Sequence, residues 1–182
     1  MEYGLVKANI GWCGVICTDR GLRNVIIGVG SRKRARALIL KKLSALFAPH
    51  QSRAKLLSKQ STSGIASRVL LKIKRYASGA KMDFSSIKLD TAPLTCFERD
   101  VFRAVRAIPY GKTMSYQDVA KKIGSPKACR AVGRSLARNP LPIIIPCHRV
   151  IGSKGELRGF STPGGIGIKR KLLQMECAPI VF

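Results

Sequence analysis

Three consecutive isoleucines between two prolines constrain the fold of this chain more than any other feature of its sequence. The segment 141–146 reads Leu-Pro-Ile-Ile-Ile-Pro, and Cys147 and His148 follow it directly. A short, uninterrupted apolar run that a proline closes is typical of a fully buried strand or extended segment. We therefore predict that Ile143–Ile145 is buried and extended, and that it delivers Cys147 and His148 to a defined place in the fold.

The neighbouring Cys147 and His148 leave two interpretations open. Successive side chains of an extended chain point in opposite directions, so the pair can act together only if the backbone bends, and Pro146 could supply that bend. A bent pair would be a nucleophile beside its base. A buried cysteine taken without further context is more often an inert apolar residue, and these residues alone do not decide between the two.

A large excess of positive charge restricts the partners of the chain. Its 182 residues include 34 Lys+Arg and 9 Asp+Glu, which gives a net charge of +25 and a pI near 10.7. Hydrophobic residues make up 46%, enough for a core, and this excludes general disorder. Residues 1–90 hold 18 basic and 4 acidic residues and residues 91–182 hold 16 and 5, so the charge belongs to folded surface. We expect a polyanionic partner, either nucleic acid or an anionic membrane face.

Membrane and secretory functions are not expected. No apolar stretch approaches the ~18–20 residues that span a bilayer. Residues 1–4 do not begin a basic and then apolar secretory signal. Six cysteines are too few and too unevenly spaced for a disulfide framework, so we expect a reducing, intracellular compartment and free thiols.

The first half of the chain predicts a small α/β unit that ends near residue 90. A turn at Asp19–Gly21 joins two β-rich runs into a hairpin, and two helices follow. The expected elements are strands Asn9–Thr18 and Leu22–Val29, a helix Arg34–Phe47 capped by Ser31, a loop Pro49–Ser63, a helix Ile65–Tyr76 followed by Gly79, and a short strand and linker in Lys81–Pro93.

The second half predicts helices, two of which form a helix-turn-helix around Gly124. The expected helices are Thr95 or Cys96 to Ile108, Tyr116–Ile123 capped by Ser115, and Pro126–Arg138 capped by Ser125. On the last of these, Lys127, Arg130, Arg134 and Arg138 follow at spacings of 3, 4 and 4, which places them on one face. Because a solvated face would usually intersperse acids, a phosphate-backbone partner is favoured over a bland basic surface.

The hexapeptide Ile145–Val150 closely resembles the active-site signature of the O6-alkylguanine-DNA alkyltransferases, also called methylated-DNA–protein-cysteine methyltransferases. The resemblance extends over nearly all of residues 93–177, through Ile108–Gly111, Ser115-Tyr116, Pro126–Ala128, Arg130–Gly133, Asn139-Pro140, Pro142, Gly159, Ser161, Gly164-Gly165, Lys169, Leu172-Leu173 and Glu176. It implies an α+β, mostly helical protein. A small, structural N-terminal α/β domain (1–90) of ribonuclease H-like fold would precede a helical DNA-binding and alkyl-transfer domain (91–182).

The resemblance also implies the chemistry. An alkyl group would move from guanine O6 to a thiolate of Cys147, since a neutral thiol is a poor nucleophile. His148 would take the thiol proton through a water, and Glu176 would orient and charge-stabilise the imidazole. Tyr116 would donate to the departing base. The backbone carbonyls of Cys147 and Val150 would accept from the exocyclic amine of guanine.

Further residues follow from the same resemblance. Ser161 would contact O6, Phe160 would border the alkyl pocket, and Asn139 would tie the recognition helix to the active-site segment. The nucleotide would have to be flipped out of the duplex. Arg130 would fill the gap it leaves, and the helix-turn-helix would dock in the minor groove. The expected DNA contacts are Ser115, Lys127, Ala128, Arg130, Ala131 and Arg134.

The implied protein works once and alone. We expect a monomer without metal or organic cofactor, acting on duplex DNA that contains O6-alkylguanine and secondarily on O4-alkylthymine. Its location would be the cytoplasm at the nucleoid, or the nucleus in a eukaryote. Two departures from the family bear on bulky adducts but not on methyl transfer: Phe160 replaces a common tyrosine, and Thr162-Pro163 lengthens the loop.

The remaining cysteines and histidine predict no metal site. If Asn9–Thr18 is a strand, Cys13 and Cys17 lie ~13 Å apart on one face and pack in the core. Cys96, Cys129 and Cys177 are expected to be packing or surface thiols, and His50 to be solvated. Two rival functions stay open: a DNA-binding regulator with a structural Cys147, and, less favoured, a cysteine hydrolase that uses Cys147 and His148.

Overall fold

The computed structural model describes residues 1–46, 64–92 and 94–178. The chain divides into two compact units, Met1–Asp90 and Thr91–Phe182. A small sheet with two helices forms the first unit, and helices dominate the second, so the predicted α+β class is confirmed. The predicted loop Pro49–Ser63 and His50 lie outside the described residues. Within the described residues, no helix is long and apolar enough to cross a membrane.

An antiparallel sheet of three strands, in the order β1-β2-β3, forms the centre of the first unit. The strands are β1 (Glu2–Ala8), β2 (Gly11–Thr18) and β3 (Gly21–Val29), and the helices are α1 (Arg32–Ser44) and α2 (Ile65–Ala77). The predicted hairpin is confirmed, with Thr18 paired to Gly21 across the turn. Sequence reasoning missed β1, which pairs along its whole length with β2.

Both faces of β2 are covered. Its residues 13–17 are all buried, and successive strand residues point to opposite faces, so apolar groups must lie on each side. Ile39 and Leu43 of α1 pack on the face that holds Ile16 and Ile26. The helix α2 contacts the same three strands.

Side-chain caps fix where the helices of this unit begin. The hydroxyl of Ser31 accepts a hydrogen bond from the backbone N–H of Arg34, as predicted. The helix α2 has no cap from its own Gly64. Instead, Glu2 on β1 accepts from the N–H of Ala66 at 2.8 Å, so the strand missed from the sequence also caps this helix.

The prediction of a short strand within Lys81–Pro93 is wrong for the described residues. Leu89 makes only an isolated bridge with Leu22. The backbone N–H of Leu22 donates to Lys88, and that of Asp90 donates to Leu22. The buried Asp90 carboxylate accepts from Thr18 at 2.9 Å. Two backbone hydrogen bonds and the side chain of Asp90 therefore hold the end of this segment, in place of the regular hydrogen bonds of a strand.

In its described residues, the second unit contains four α-helices and two very short parallel strands. These are α3 (Cys96–Arg106), β4 (Met114–Ser115), α4 (Tyr116–Lys122), α5 (Cys129–Ala137), β5 (Val150–Ile151) and α6 (Gly165–Met175), with a 3-10 helix at Cys147–Arg149 before β5. Thr95 with Glu98 and Ser115 with Asp118 form complete capping boxes, which explains why α3 and α4 begin where the sequence predicts.

The expected start of the next helix is wrong by three residues. Ser125 does not cap it, because the N–H of Ala128 donates to the carbonyl of Ser125 and closes a turn with Pro126 at its second position. The helix α5 begins at Cys129, and Arg138 is its C-cap. Of the four predicted cations, only Arg130 and Arg134 lie on the helix, although all four are exposed.

The isoleucine run is buried, as predicted, but it is not extended. The N–H of Ile145 donates to the carbonyl of Leu141 at 2.8 Å, so the chain folds into a turn. Ile143 has a φ of 74°, a conformation that is strained for a β-branched residue. The side chain of Asn139 holds the turn together: it accepts from the N–H of Leu141 and donates to the carbonyl of Ile145.

Candidate active site

Cys147 is the first residue of the 3-10 helix, directly after Pro146. Pro146 has a ψ of 64° and Cys147–Arg149 form a 3-10 helix, so the backbone bends here and is not extended. The side chain of Cys147 is buried. The amide of Asn139 donates a hydrogen bond to its sulfur at 3.0 Å, from the same nitrogen that holds Ile145. The turn and the sulfur therefore share one positioning side chain.

His148 is completely buried and is held by Glu176. Its Nε2 lies 3.0 Å from Oε1 of that carboxylate. Glu176 is the C-cap of α6 and is itself buried. A carboxylate accepts but does not donate, so this contact assigns a proton to Nε2 of the imidazole. The structure therefore brings together two predicted site residues that lie 28 positions apart in the sequence.

Arg149 joins the same carboxylate from the other side. Its Nε donates to Oε2 at 2.9 Å and its Nη2 donates to Oε1 at 2.8 Å. Its Nη1 donates to the carbonyl of Ile108 at 2.6 Å. Gly111 adds its backbone N–H to Oε2 at 3.2 Å. Sequence reasoning quoted Arg149 only as part of a motif and gave it no role.

Gly111 occupies a position that only glycine suits. Its φ is 72°, and a Cβ there would lie 2.9 Å from the backbone carbonyl oxygen of Glu176. The loop between α3 and β4 therefore packs directly on the end of α6. Tyr110 in the same loop donates to the carbonyl of Met175 at 2.9 Å. This packing explains why the break predicted at Pro109–Gly111 adjoins the site.

Burial dominates the protonation of the pair. It raises the pKa of the Cys147 thiol, against the opposing effects of the Asn139 hydrogen bond and the Lys169 ammonium. Burial also lowers the pKa of His148, against the opposing hydrogen bond and charge of Glu176. The resting pair is therefore a neutral thiol beside a neutral imidazole at neutral pH.

A cavity of about 310 Å³ has Cys147 on its wall. Four residues predicted for the site lie on its wall, namely Tyr116, Cys147, Phe160 and Ser161. The remaining lining residues are Gly133, Leu136, Ala137 and Gly159. Sequence reasoning missed two lining residues of α5, Leu136 and Ala137. They follow Ala128 and Ala131, which were predicted to contact DNA, and this position on the same helix was the signal that could have identified them.

Lys169 is the other residue whose role the sequence did not reveal. It is fully buried, and its ammonium donates to the carbonyl of Val150 at 2.6 Å and to that of Arg158 at 2.9 Å. It lies 5.9 Å from the ring centroid of Tyr116. Burial lowers its pKa to about 8. Val150, expected to offer its carbonyl to guanine, already uses that oxygen to hold Lys169.

The residues expected to contact DNA lie at the start of α4, in the turn before α5 and on α5 itself. Arg130 and Arg134 are exposed on α5, Lys127 is exposed in the preceding turn, and Ala128 and Ala131 are half-buried. The hydroxyl of Ser115 donates to Asp118 at 2.7 Å within its capping box. The structure therefore gives Ser115 a structural task in addition to the expected one.

Cys13 and Cys17 lie in β2 of the first unit. Both are buried, and burial raises the pKa of each to about 12. Across the described ranges, no three His, Cys, Asp or Glu residues come together in a way that could hold a metal ion.

Comparison with known proteins agrees with this geometry. Residues 96–178 match the family profile described as "6-O-methylguanine DNA methyltransferase, DNA binding domain". The methylated-DNA–protein-cysteine methyltransferase of Haemophilus influenzae is 41% identical over 123 residues, 68% of this chain and 67% of that protein. The relative from Methanosarcina acetivorans is 51% identical over 82 residues, 45% of this chain and 51% of the relative, so that match spans about half of the relative's length.

A solved structure extends the similarity to both units. The crystal structure of Mycobacterium tuberculosis OGT in complex with DNA superposes with a TM-score of 0.71 at 32% identity, covering 98% of this chain and 96% of that one. The similarity thus includes the first unit, which the family profile does not reach. Together, these matches show that the chain belongs to the methylated-DNA–protein-cysteine methyltransferase family.

Proposed function

We propose that this chain repairs DNA by moving a methyl or other alkyl group from O6 of guanine to the sulfur of its own Cys147. The observation that carries the proposal is the position of Cys147. This residue lies on the wall of a cavity, with the buried His148–Glu176 pair next to it in the chain, in a member of this family. The thioether is stable, so each chain acts once.

The proton has a defined route. Nε2 of His148 carries a proton for Glu176, so the imidazole takes the thiol proton at Nδ1, through a water. The thiolate then attacks the alkyl carbon. One S–C bond forms while the C–O6 bond breaks, and the electron pair of that bond leaves with guanine.

The departing guanine anion needs a proton or a hydrogen bond. Tyr116 on the cavity wall is the donor to the base, and Ser161 on the same wall contacts O6. Burial, followed by the charge of Cys147, raises the pKa of Tyr116, so its hydroxyl stays protonated and can donate. The carbonyl of Cys147 accepts from the exocyclic amine, and the carbonyl of Val150 shares this task with its bond to Lys169.

Duplex DNA is the substrate, and the target nucleotide is flipped into the cavity. Arg130, exposed on α5, enters the base stack in its place. The DNA backbone is contacted in the minor groove by five further residues, which are Lys127, Arg134, Ser115, Ala128 and Ala131. The net charge of +25 supports a strong, salt-dependent affinity with little sequence preference.

The finer assignments belong to the same proposal. The protein works as a monomer without metal or organic cofactor, and it acts secondarily on O4-alkylthymine. The unit 1–90 is structural. The protein acts in the cytoplasm at the nucleoid, or in the nucleus if the source is a eukaryote. Asn139 couples α5 to the active-site turn, and Phe160 limits which adducts larger than methyl the cavity accepts.

Mass spectrometry tests the proposal. Wild-type protein incubated with a duplex that contains one O6-methylguanine is expected to gain the mass of one methyl group on the Cys147 peptide. Cys147→Ala is expected to gain none, and Cys129→Ala, which removes another thiol of the same unit, is expected to gain it normally. Binding of the duplex without any gain in mass would refute transfer and favour a DNA-binding regulator.

A cysteine hydrolase is the second alternative that the same sample can exclude. Such an enzyme would release product repeatedly from an ester or amide and would return to its original mass. A persistent methyl on Cys147 contradicts that behaviour.

A further inference from the structure

The carboxylate of Glu176 is divided between two cationic or potentially cationic neighbours. Its Oε1 accepts from Nε2 of His148 at 3.0 Å and from Nη2 of Arg149 at 2.8 Å. Its Oε2 accepts from Nε of Arg149 at 2.9 Å and from the N–H of Gly111 at 3.2 Å. Arg149 therefore binds both oxygens in a bidentate manner, whereas His148 has a share of only one.

The location of Glu176 disfavours a negative charge on its carboxylate. The residue is 2% exposed and caps the C-terminus of α6, where the helix dipole is negative and disfavours an anion. A buried carboxylate beside a neutral imidazole alone would lack a compensating charge. Arg149, itself only 7% exposed, supplies that charge in the geometry that suits a carboxylate best.

Arg149 is fixed independently of Glu176. Its Nη1 donates to the carbonyl of Ile108 at 2.6 Å, and its guanidinium carbon lies 5.9 Å from the ring centroid of Tyr110. Two contacts from the loop after α3 thus hold the guanidinium in place. The division of the Glu176 charge is therefore built into the fold and does not depend on the position of His148.

We propose that Arg149 is a positioning residue that keeps Glu176 ionised and withholds part of its charge from His148, so that the imidazole rests neutral with its proton on Nε2. This inference rests on the proposed function, because a neutral imidazole matters only if His148 accepts the thiol proton. An imidazole that Glu176 alone had already protonated could not accept it.

The charged groups that face His148 act in opposite directions. After burial, which lowers the pKa of His148 most, Glu176 raises that pKa, and Arg149 and Lys169 each lower it. Cys147 adjoins in the chain and is neutral in the resting state. Removing the Arg149 guanidinium takes away one of the charges that lower the pKa of His148, while Glu176 still raises it. The midpoint of the imidazole titration should therefore move to higher pH.

NMR titration of one histidine measures this directly. The chain has only two histidines, so His50→Gln provides a background in which His148 is the single imidazole. In that background, Arg149→Gln is expected to raise the titration midpoint of His148 above that of the His50→Gln protein. Arg149→Lys, which keeps the charge but loses the fork, is expected to give a smaller rise. Arg103→Gln, which removes an exposed arginine of α3, is expected to give none.

Two further variants keep the test decisive. Glu176→Gln combined with Arg149→Gln removes both charges, and the midpoint is expected to return to the wild-type value or below it. If Arg149→Gln does not fold, the comparison of Arg149→Lys with the wild type decides. An unchanged midpoint in the folded Arg149 variants would overturn the inference, since a purely structural role would lower stability without moving the titration.

The titration needs no DNA, so it separates this inference from the proposed function. Wild-type protein that acquires no methyl group from damaged DNA, with a midpoint that still shifts in Arg149→Gln, would refute repair and leave the division of the Glu176 charge intact. Methyl transfer with an unshifted midpoint would refute the role of Arg149 alone.

Discussion

The amide nitrogen of Asn139 lies 3.0 Å from the sulfur of Cys147 and donates a hydrogen bond to it. The same nitrogen donates to the carbonyl of Ile145, and the amide oxygen accepts from the N–H of Leu141. One side chain at the end of α5 therefore closes the turn that contains the strained Ile143 and also contacts the reactive atom. Asn139 follows directly after the C-cap of α5, so the end of the helix that carries Arg130 lies against the sulfur of Cys147.

Asn139→Ala is expected to destabilise the protein by about 2–3 kcal/mol, because three hydrogen bonds are lost at about 1 kcal/mol each. Chemical denaturation measures the loss. Asn139→Asp serves as the matched control: it keeps the acceptor for Leu141 but loses the donor and places a negative charge at the sulfur. It should therefore retain more stability than the alanine variant while its Cys147 reacts more slowly with iodoacetamide. Equal stability of Asn139→Ala and wild type would contradict this account of the turn.

Lys169 gives a prediction about the pH dependence of stability. Burial lowers its folded-state pKa to about 8, from 10.5 for an unperturbed lysine. Between these values the unfolded chain binds more protons than the folded chain, so the contribution of Lys169 to stability rises with pH. The free energy of unfolding of the wild type, minus that of Lys169→Met, should therefore increase from pH 8 to pH 10.5. A flat or falling difference over that range would contradict the burial of this ammonium.

Thiol labelling should distinguish the six cysteines. Burial raises the pKa of Cys13 and Cys17 to about 12, and both are buried, so they are expected to resist N-ethylmaleimide at pH 8 in the folded protein. Cys96 and Cys177 are exposed and should be modified first. Peptide mass mapping gives the order, and all six should react once urea unfolds the chain. Labelling of Cys13 as fast as Cys96 would show that the sheet interior is open.

The two arginines of α5 should have separable effects on DNA. Arg134→Gln removes one exposed cation, so the slope of log affinity against log salt should fall by about 1 with little change in sequence preference. Arg130→Ala should slow methyl transfer from a duplex far more than Arg134→Gln does, because its proposed place is inside the base stack. Binding titrations at several salt concentrations, with Arg103→Gln as the control, measure both. Equal transfer rates for the two α5 variants would argue against a special role for Arg130.

Local signals predicted where α3 and α4 begin. Thr95 and Ser115 each begin a helix and are followed three residues later by an acid, and both capping boxes are present. The prediction of where α5 begins was wrong because a serine followed by a proline, as at Ser125 and Pro126, is common in a turn as well as at the start of a helix. Only the backbone hydrogen bond from Ala128 to Ser125 decides between these two structures.

Contacts with residues outside each segment account for what the sequence could not predict. The isoleucine run has the composition of a strand, and the side chain of Asn139 folds it into a turn. Lys169 and Arg149 look like surface cations in a chain with 34 basic residues, yet both are buried because carbonyls and a carboxylate from distant segments surround them. Resemblance to a family identified Cys147, His148 and Glu176, whereas periodicity and spacing alone left Cys147 ambiguous.

A stoichiometric titration tests the central claim most directly. Increasing amounts of duplex with O6-methylguanine are added to the wild-type protein, and intact mass and peptide mapping follow the transferred methyl. We predict that uptake stops at one methyl per chain, all of it on Cys147, with one guanine restored for each chain consumed. Repair of more than one lesion per chain, or a methyl on any other residue, would contradict it.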